Sequence, residues 1–188
     1  MLVIPERIWD ELLDRFAQQP AGVERVAFLD GYRFANGAVV TTLTIPEADC
    51  YPGYYTTSAE AMSAAGRHLR QYTMQRLLQV HTHGNAVLHH SPRDDQMAYS
   101  RVPGSLSLVL PYHAVKRPSP FDGQLHVLDT MGWLAVKRAE AQTMLVLIPS
   151  IIDLRRKDSW TPSQAGMPAT WAAVFGRYLA RIPWPWKS

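Results

Sequence analysis

The sequence predicts an α/β fold: a single domain with a mixed, mostly antiparallel sheet flanked by helices, and a C-terminal helical extension. Apolar residues recur with helical spacing in two early segments and again near the C-terminus. Short β-branched or apolar runs lie between them, in the order helix, two strands, helix, strand, helix, then strands. The 188 residues, 47% hydrophobic and 19% charged, suffice for one full core.

The segment PERIWDELLDRFAQQ places Ile8, Trp9, Leu12, Leu13 and Phe16 on one helical face, with Pro5 suited to the first turn. After the breaker QQPAG, ERVAFLDGYRF reads as a strand and GAVVTTLTI (37–45) as its antiparallel neighbour. PEADCYPGYYTT reads as a loop or short irregular excursion. Thr57 with Glu60 three residues on reads as a capping box that opens a helix through SAEAMSAAGRHLRQYTMQR. LLQVHTH (77–83) reads as a buried strand, and SPRDDQMAYSR begins a third helix. SLSLVLP (105–111), GQLHVLD (123–129), MGWLAVKR (131–138) and AQTMLVLIP (142–149) read as strands. In ATWAAVFGRYLARI, residues Trp171, Val174, Phe175, Tyr178, Leu179 and Ile182 keep i, i+3, i+4 spacing. This predicts a C-terminal helix and aromatic tail over 159–188, packed on a domain of residues 1–158; the other reading is an aromatic surface for a partner.

Net charge is +3 and the basic residues are scattered, at Arg67, Arg70 and Arg76, at Lys116 and Arg117, and at Arg155 to Lys157. A nucleic-acid-binding protein concentrates such residues among aromatics, so no nucleic-acid partner is expected. The single cysteine, Cys50, excludes an intramolecular disulfide and a thiolate metal cluster. The start MLVIPERIWDELL carries acidic residues and no small-residue cleavage site, unlike a signal peptide. The apolar run MLVLIPSII (144–152) is too short to span a bilayer. A cytoplasmic protein without a membrane segment is expected.

Four of the seven histidines fall within HTHGNAVLHHSPRDD, residues 81 to 95. His81 and His83 stand two apart on a strand, so both imidazoles leave the same face and can reach one ion. Asp94 is the candidate third ligand. Taken alone, each part has a plain structural reading. Ser91-Pro92-Arg93-Asp94 is a helix start, with serine at the N-cap, proline first and a carboxylate third. His-x-His on a strand is often polar decoration. Their joint spacing carries the functional reading: His-Thr-His, seven residues, Ser, two residues, Asp.

That spacing resembles the metal-binding signature of the JAMM (JAB1/MPN+) zinc metallopeptidases, H-[ST]-H-x7-S-x2-D, with His81, Thr82, His83, Ser91 and Asp94 at every fixed position. The family also carries a glutamate on an earlier strand with a glycine beyond it. Here Glu24 opens ERVAFLDG and Gly31 follows seven residues later. The predicted element order is similar to the MPN fold over about residues 4 to 150. Two departures stand out. Gly84 follows the second histidine where the family usually has proline, which implies a more mobile loop from Gly84 to His90. The run ERVAFLD also lacks the small residues often found just after the glutamate.

The resemblance implies one zinc per chain held by His81, His83 and Asp94, with Glu24 as general base and acid and Ser91 as donor to the oxyanion. His89 and His90 are expected beside the site and not as ligands. The implied activity is cleavage after the C-terminus of a ubiquitin-like protein, to remove it from a conjugate or to process its precursor. The flank for the substrate tail is either PEADCYPGYY or HAVKRPSPFDG. A stand-alone domain of this kind is similar to bacterial JAB peptidases of antiviral ubiquitin-like conjugation operons of the CBASS and Bil type, which implies E1-like and E2-like partners. The alternatives are maturation of a small sulfur-carrier protein and a non-catalytic MPN scaffold. A His-x-His hydrolase barrel needs a longer chain and further ligands that His113 and His126 do not supply.

Overall fold

The structure, a computed structural model, describes residues 1–152 and residue 154. It divides the chain into two units, Met1–Ile151 and Ile152–Ser188, of which the first is described below. The expected C-terminal helix and tail over 159–188 lie outside the described residues.

Ten strands and four α-helices build the first unit. Strand β1 (Leu2–Pro5) leads into α1 (Glu6–Ala17); β2 (Val26–Phe34) and β3 (Gly37–Thr44) follow. Next come a hairpin of β4 (Ala48–Tyr51) and β5 (Tyr54–Thr57), helix α2 (Ala59–Gln71), and β6 (Gln75–Thr82). Helix α3 (Pro92–Met97) precedes β7 (Leu106–Leu110), β8 (Gln124–Leu128) and β9 (Trp133–Ala135), and α4 (Arg138–Met144) runs into β10 (Leu145–Ile148). No helix among the described residues is long and apolar enough to cross a membrane.

The main sheet has the order β10-β1-β3-β2-β6-β7-β8-β9. β1 runs parallel to both neighbours and β6 parallel to β7, while the other pairings are antiparallel. The expected mixed, mostly antiparallel α/β fold is therefore the observed one. Side chains alternate across each strand. Ala27, Leu29, Leu78, Val80, Leu108, Leu110 and Leu125 join one core with Trp9, Leu12, Leu13 and Phe16 of α1. On the other face Val26, Phe28 and Tyr55 form a smaller core, backed by Met62 and Met97. At about 1.5–3 kcal/mol for each fully buried large apolar side chain, the first core dominates the favourable side of folding.

Several local expectations differ from what is observed: the helix expected through Arg76 ends at Gln71, the third helix ends at Met97, and the strand expected over 131–138 is only Trp133–Ala135. Pro5, expected in the first turn of α1, is its N-cap and ends the strand Leu2–Pro5, whose partners, β3 and β10, lie far along the chain. The stretch 46–57 is a two-stranded hairpin with Pro52 and Gly53 at its turn. The N-cap of α2 is Ser58, whose hydroxyl accepts from the Ala61 amide, one residue beyond Thr57. The segment 142–149 is shared between α4 and β10.

Gly31 has a steric reason. Beside it β2 slips register against β3, and an added Cβ would sit 2.0 Å from the Val39 carbonyl oxygen, so no side chain fits.

Candidate metal centre

β6 carries His81 at its C-terminal end, on the face opposite the larger core, and His83 follows just beyond it. The loop after His83 brings the chain back so that α3 begins beside them. Its capping box is complete: the Asp94 amide donates to Ser91 Oγ at 3.1 Å, and the Ser91 amide donates to Asp94 Oδ2 at 2.7 Å. The cap that starts the helix thereby holds the Asp94 carboxylate against the two imidazoles. His81 Nε2 lies 3.5 Å from Asp94 Oδ1, and His83 Nε2 lies 3.3 Å from Oδ2. One donor atom from each of the three residues lies within 4.8 Å of the others.

The arrangement fits a metal ion. His81 is fully buried and neither of its ring nitrogens has a hydrogen-bond partner, an expensive condition for an imidazole unless something else occupies it. Ligands at tetrahedral bond lengths of about 2.0–2.1 Å stand about 3.3 Å from one another, close to the spacings here. His83 Nδ1 lies 2.7 Å from the Val87 carbonyl oxygen, which can only accept. Nδ1 therefore carries the proton, and the Nε2 lone pair faces Asp94, the arrangement usual for a ligating histidine. Two nitrogens and one carboxylate oxygen suit zinc with a fourth position open.

Electrostatics put His81 and Asp94 in their ligating forms, whereas His83 gives up a proton to a metal. Burial holds His81 below the ordinary imidazole value despite Asp94, which keeps it neutral. Burial raises the Asp94 carboxyl, but His81 and His83 outweigh it and hold Asp94 far below the usual carboxylate range. Burial lowers His83 too, yet the contacts with Asp94 and the Val87 carbonyl reverse that and raise it overall. An ion at Nε2 would compete directly with that proton.

Glu24 precedes β2 and is 5% exposed. Burial pushes its carboxyl up to about 7; His83 pulls it down and Asp94 pushes it up. Glu24, His83 and Ser91 line one cleft of about 380 Å³, whose lips are Pro52 and Gly53 of the hairpin and Gly84, Asn85 and Val87 of the loop. A larger cleft of about 510 Å³ elsewhere, lined by Leu2, Phe34, Leu77 and Val127, has no comparable cluster of titratable groups. The cleft beside Glu24 is the candidate site because the chemistry converges there.

All five residues singled out by spacing are thus drawn to one place. His89 and His90 line the same cleft outside the three-residue cluster. His90 is more firmly built in than a loop bystander: its ring nitrogens lie 3.0 Å from Asp95 Oδ1 and 2.9 Å from Ser107 Oγ, and its ring packs on His81, His126 and Trp133. Burial, then His90, lowers His126 to about 3, so it is neutral. No local pattern marks His126, since strand pairing alone brings it here. The loop after Gly84 is also tethered, through Asn85 Oδ1 to the Val87 amide and the Asn85 carbonyl to the Tyr112 amide. A Cβ at 84 would lie 2.9 Å from His113 Nε2, so a side chain there would have to displace that ring.

No family model matches this chain and no curated protein does. Among solved structures it is similar to protein DSY2949 from Desulfitobacterium hafniense, with a TM-score of 0.60 and 16% identity over 80% of this chain and 95% of that one. It is also similar to AF2198, a JAB1/MPN domain protein from Archaeoglobus fulgidus, with a TM-score of 0.43 and 13% identity over 79% and 97% of the two chains. The first likeness is one of fold; the second is too loose to carry an argument.

Proposed function

We propose that this chain is a zinc-dependent peptidase of the JAMM type that cleaves the amide bond after the C-terminus of a ubiquitin-like protein. The observation that carries the reading is the cluster of His81, His83 and Asp94 donor atoms within 4.8 Å, in a cleft that Glu24 also lines. Zinc held by those three residues supplies a Lewis acid that acidifies water and polarises a carbonyl.

The chain's own residues do the rest. Glu24, buried and poised near neutrality, takes a proton from the attacking water and returns it to the leaving amine. Among the described residues the Ser91 hydroxyl accepts from Asp94 and has no acceptor of its own, so its hydrogen is free to stabilise the developing oxyanion. His90 walls the cleft and shields His81. Glycines at both lips, Gly53 and Gly84, leave room for an extended substrate chain with small residues near the scissile bond.

Of the two candidate flanks, the hairpin supports the reading better because its tip lines the cleft. The segment 113–123 is strapped to α1 instead: Arg117 pairs with Asp10 and Asp14, and the Trp9 indole donates to the Pro118 carbonyl. Deconjugation beside E1-like and E2-like partners in an antiviral operon is the biological setting this reading favours. Sulfur-carrier maturation would use the same residues. A scaffold role has less support, since nothing in the cluster is missing.

The test is metal analysis with hydrolysis of a ubiquitin-like fusion. We expect about one zinc per chain, and Glu24→Gln should slow turnover about a hundredfold or more with zinc retained. Wild-type protein that binds no zinc and cleaves nothing would return the chain to the scaffold reading.

A further inference from the structure

Glu24 just before β2 and the histidines at the end of β6 come from separate segments, and a set of unusual contacts sets their relative position. Arg25 faces Thr82, the residue between the two histidines. The Thr82 amide donates to the Arg25 carbonyl at 3.1 Å, as in any antiparallel ladder. The return bond is different: the Arg25 amide donates to Thr82 Oγ1 at 3.0 Å, where a main-chain carbonyl would ordinarily accept. The ladder ends at this substitution, and the next amide, that of Glu24, turns away to the Tyr51 carbonyl at 2.8 Å.

The Arg25 side chain makes the second half of the arrangement. It is 3% exposed and, among the described residues, has no carboxylate within ion-pair distance. Its guanidinium donates to the carbonyls of His113 at 2.6 Å, Pro20 at 2.8 Å and Gln19 at 3.4 Å. A buried cation paired only with carbonyls, its Nε left without a partner, is costly beside a packed apolar residue, so stability does not account for it. His113 in turn sits in a strained turn: Tyr112, His113 and Ala114 have φ of 50°, 53° and 57°. Each costs about 1–2 kcal/mol relative to ordinary backbone. That turn donates from the His113 amide to the His83 carbonyl at 2.8 Å and from the Tyr112 amide to the Asn85 carbonyl. Strain of this kind gathers where geometry matters.

We propose that Arg25 and Thr82 are positioning residues, a clamp that fixes the Glu24 carboxylate relative to His81, His83 and Asp94. The Thr82 hydroxyl joins the two strands at the point where they diverge, and Arg25 ties the Glu24 segment to the turn that holds His83. The inference rests on the reading of Glu24 as the proton-transfer group. It assigns a role to the middle residue of His-Thr-His: a hydroxyl there is needed for register, not for the metal.

The test loads the full chain with cobalt(II) and follows its visible absorption as a function of pH. The midpoint reports ionisation at the metal and the carboxylate beside it. Glu24→Gln should move that midpoint. Thr82→Val and Arg25→Met should move it the same way, by about one pH unit or a tenfold change in the equilibrium constant, with cobalt still bound stoichiometrically. Thr82→Ser, which restores the hydroxyl, should titrate like the wild type. A purely structural role would lower the thermal midpoint and leave the pH midpoint in place. Should Thr82→Val fail to fold, Arg25→Lys carries the same test, because an ammonium cannot span three carbonyls as the guanidinium does. If Glu24→Gln moves the midpoint and the clamp variants do not, the clamp is overturned. If Glu24→Gln itself titrates like the wild type, or the wild type binds no cobalt, the reading of the site fails and the clamp falls with it.

Discussion

The two faces of the central strands are built from alternate residues of the same segments and do opposite things. On one face of β6 and β7, Leu78, Val80, Leu108 and Leu110 are fully buried among apolar neighbours. On the other, Gln79, His81 and Ser107 are also fully buried, as nearly is His126 on β8, and they face a helix start and a hairpin. The apolar side chains of the first face have no polar atom to satisfy, although beyond them Arg25 Nε and His113 Nδ1 are buried without partners among the described residues. The polar face keeps buried nitrogens without partners on His81, His126 and Trp133. Burial alone therefore does not distinguish a core from a site; what separates them is whether the buried groups are content. The polar face is partly stitched, since Gln79 donates to the Tyr55 hydroxyl at 2.6 Å and accepts from the Tyr99 amide. Its remaining discontent lies next to the candidate ligands.

The largest expected break of this contrast is His81→Ala. It removes a candidate ligand and should release the metal; with several kcal/mol of transition-state stabilisation lost, hydrolysis should fall about a thousandfold or more. Elemental analysis beside a turnover assay checks both, and full retention of zinc would sink the ligand assignment. Leu108→Ala, on the apolar face of the neighbouring strand, should instead cost about 2–5 kcal/mol of stability in a denaturant melt and leave metal content unchanged.

Glu24 sharpens the contrast through pH. Its carboxyl holds a proton up to about 7 in the folded, metal-free protein, against an ordinary value of 4.5. Between those values the folded state binds more protons than the unfolded one, so stability falls as pH rises through that window. Glu24→Gln should therefore stabilise the metal-free protein above pH 7, by up to about 3 kcal/mol, and the gain should vanish toward pH 4.5. Thermal midpoints across that range would show it; equal midpoints throughout would place Glu24 in water. The smallest effect is at Ser91→Ala. Losing the cap should cost about 1 kcal/mol of stability, and weaker turnover at unchanged KM would mark the hydroxyl as an oxyanion donor besides.

The histidine pair and the helix cap were legible because both are local: i and i+2 share a strand face, and serine, proline and aspartate spell a helix start within four residues. What sequence could not supply was anything made by distant pairing. β1 is four residues long and parallel to both neighbours, so no turn residue announces it. The four-residue strands of the 46–57 hairpin are too short for their alternation to stand out. His126 reaches the site through β8, and Arg25 through carbonyls of residues 19, 20 and 113. The cap of α2 was displaced by one residue because Thr57 and Ser58 are both good caps and only Ser58 has its hydroxyl toward the helix.

The placement of β1 bears on how the protein is made. β1 lies between β3 and β10, and the Arg7 amide donates to the Ser150 hydroxyl across 143 residues. A ribosome releases the first of these partners long before the last. During synthesis one long side of β1 is an open edge, able to pair with another nascent chain until β10 emerges to cover it. Closing so distant a contact is slow compared with local pairing. The final strand of the domain thus acts as a latch on its first, and truncation before Leu145 should yield a chain that aggregates on release rather than one that is merely shorter.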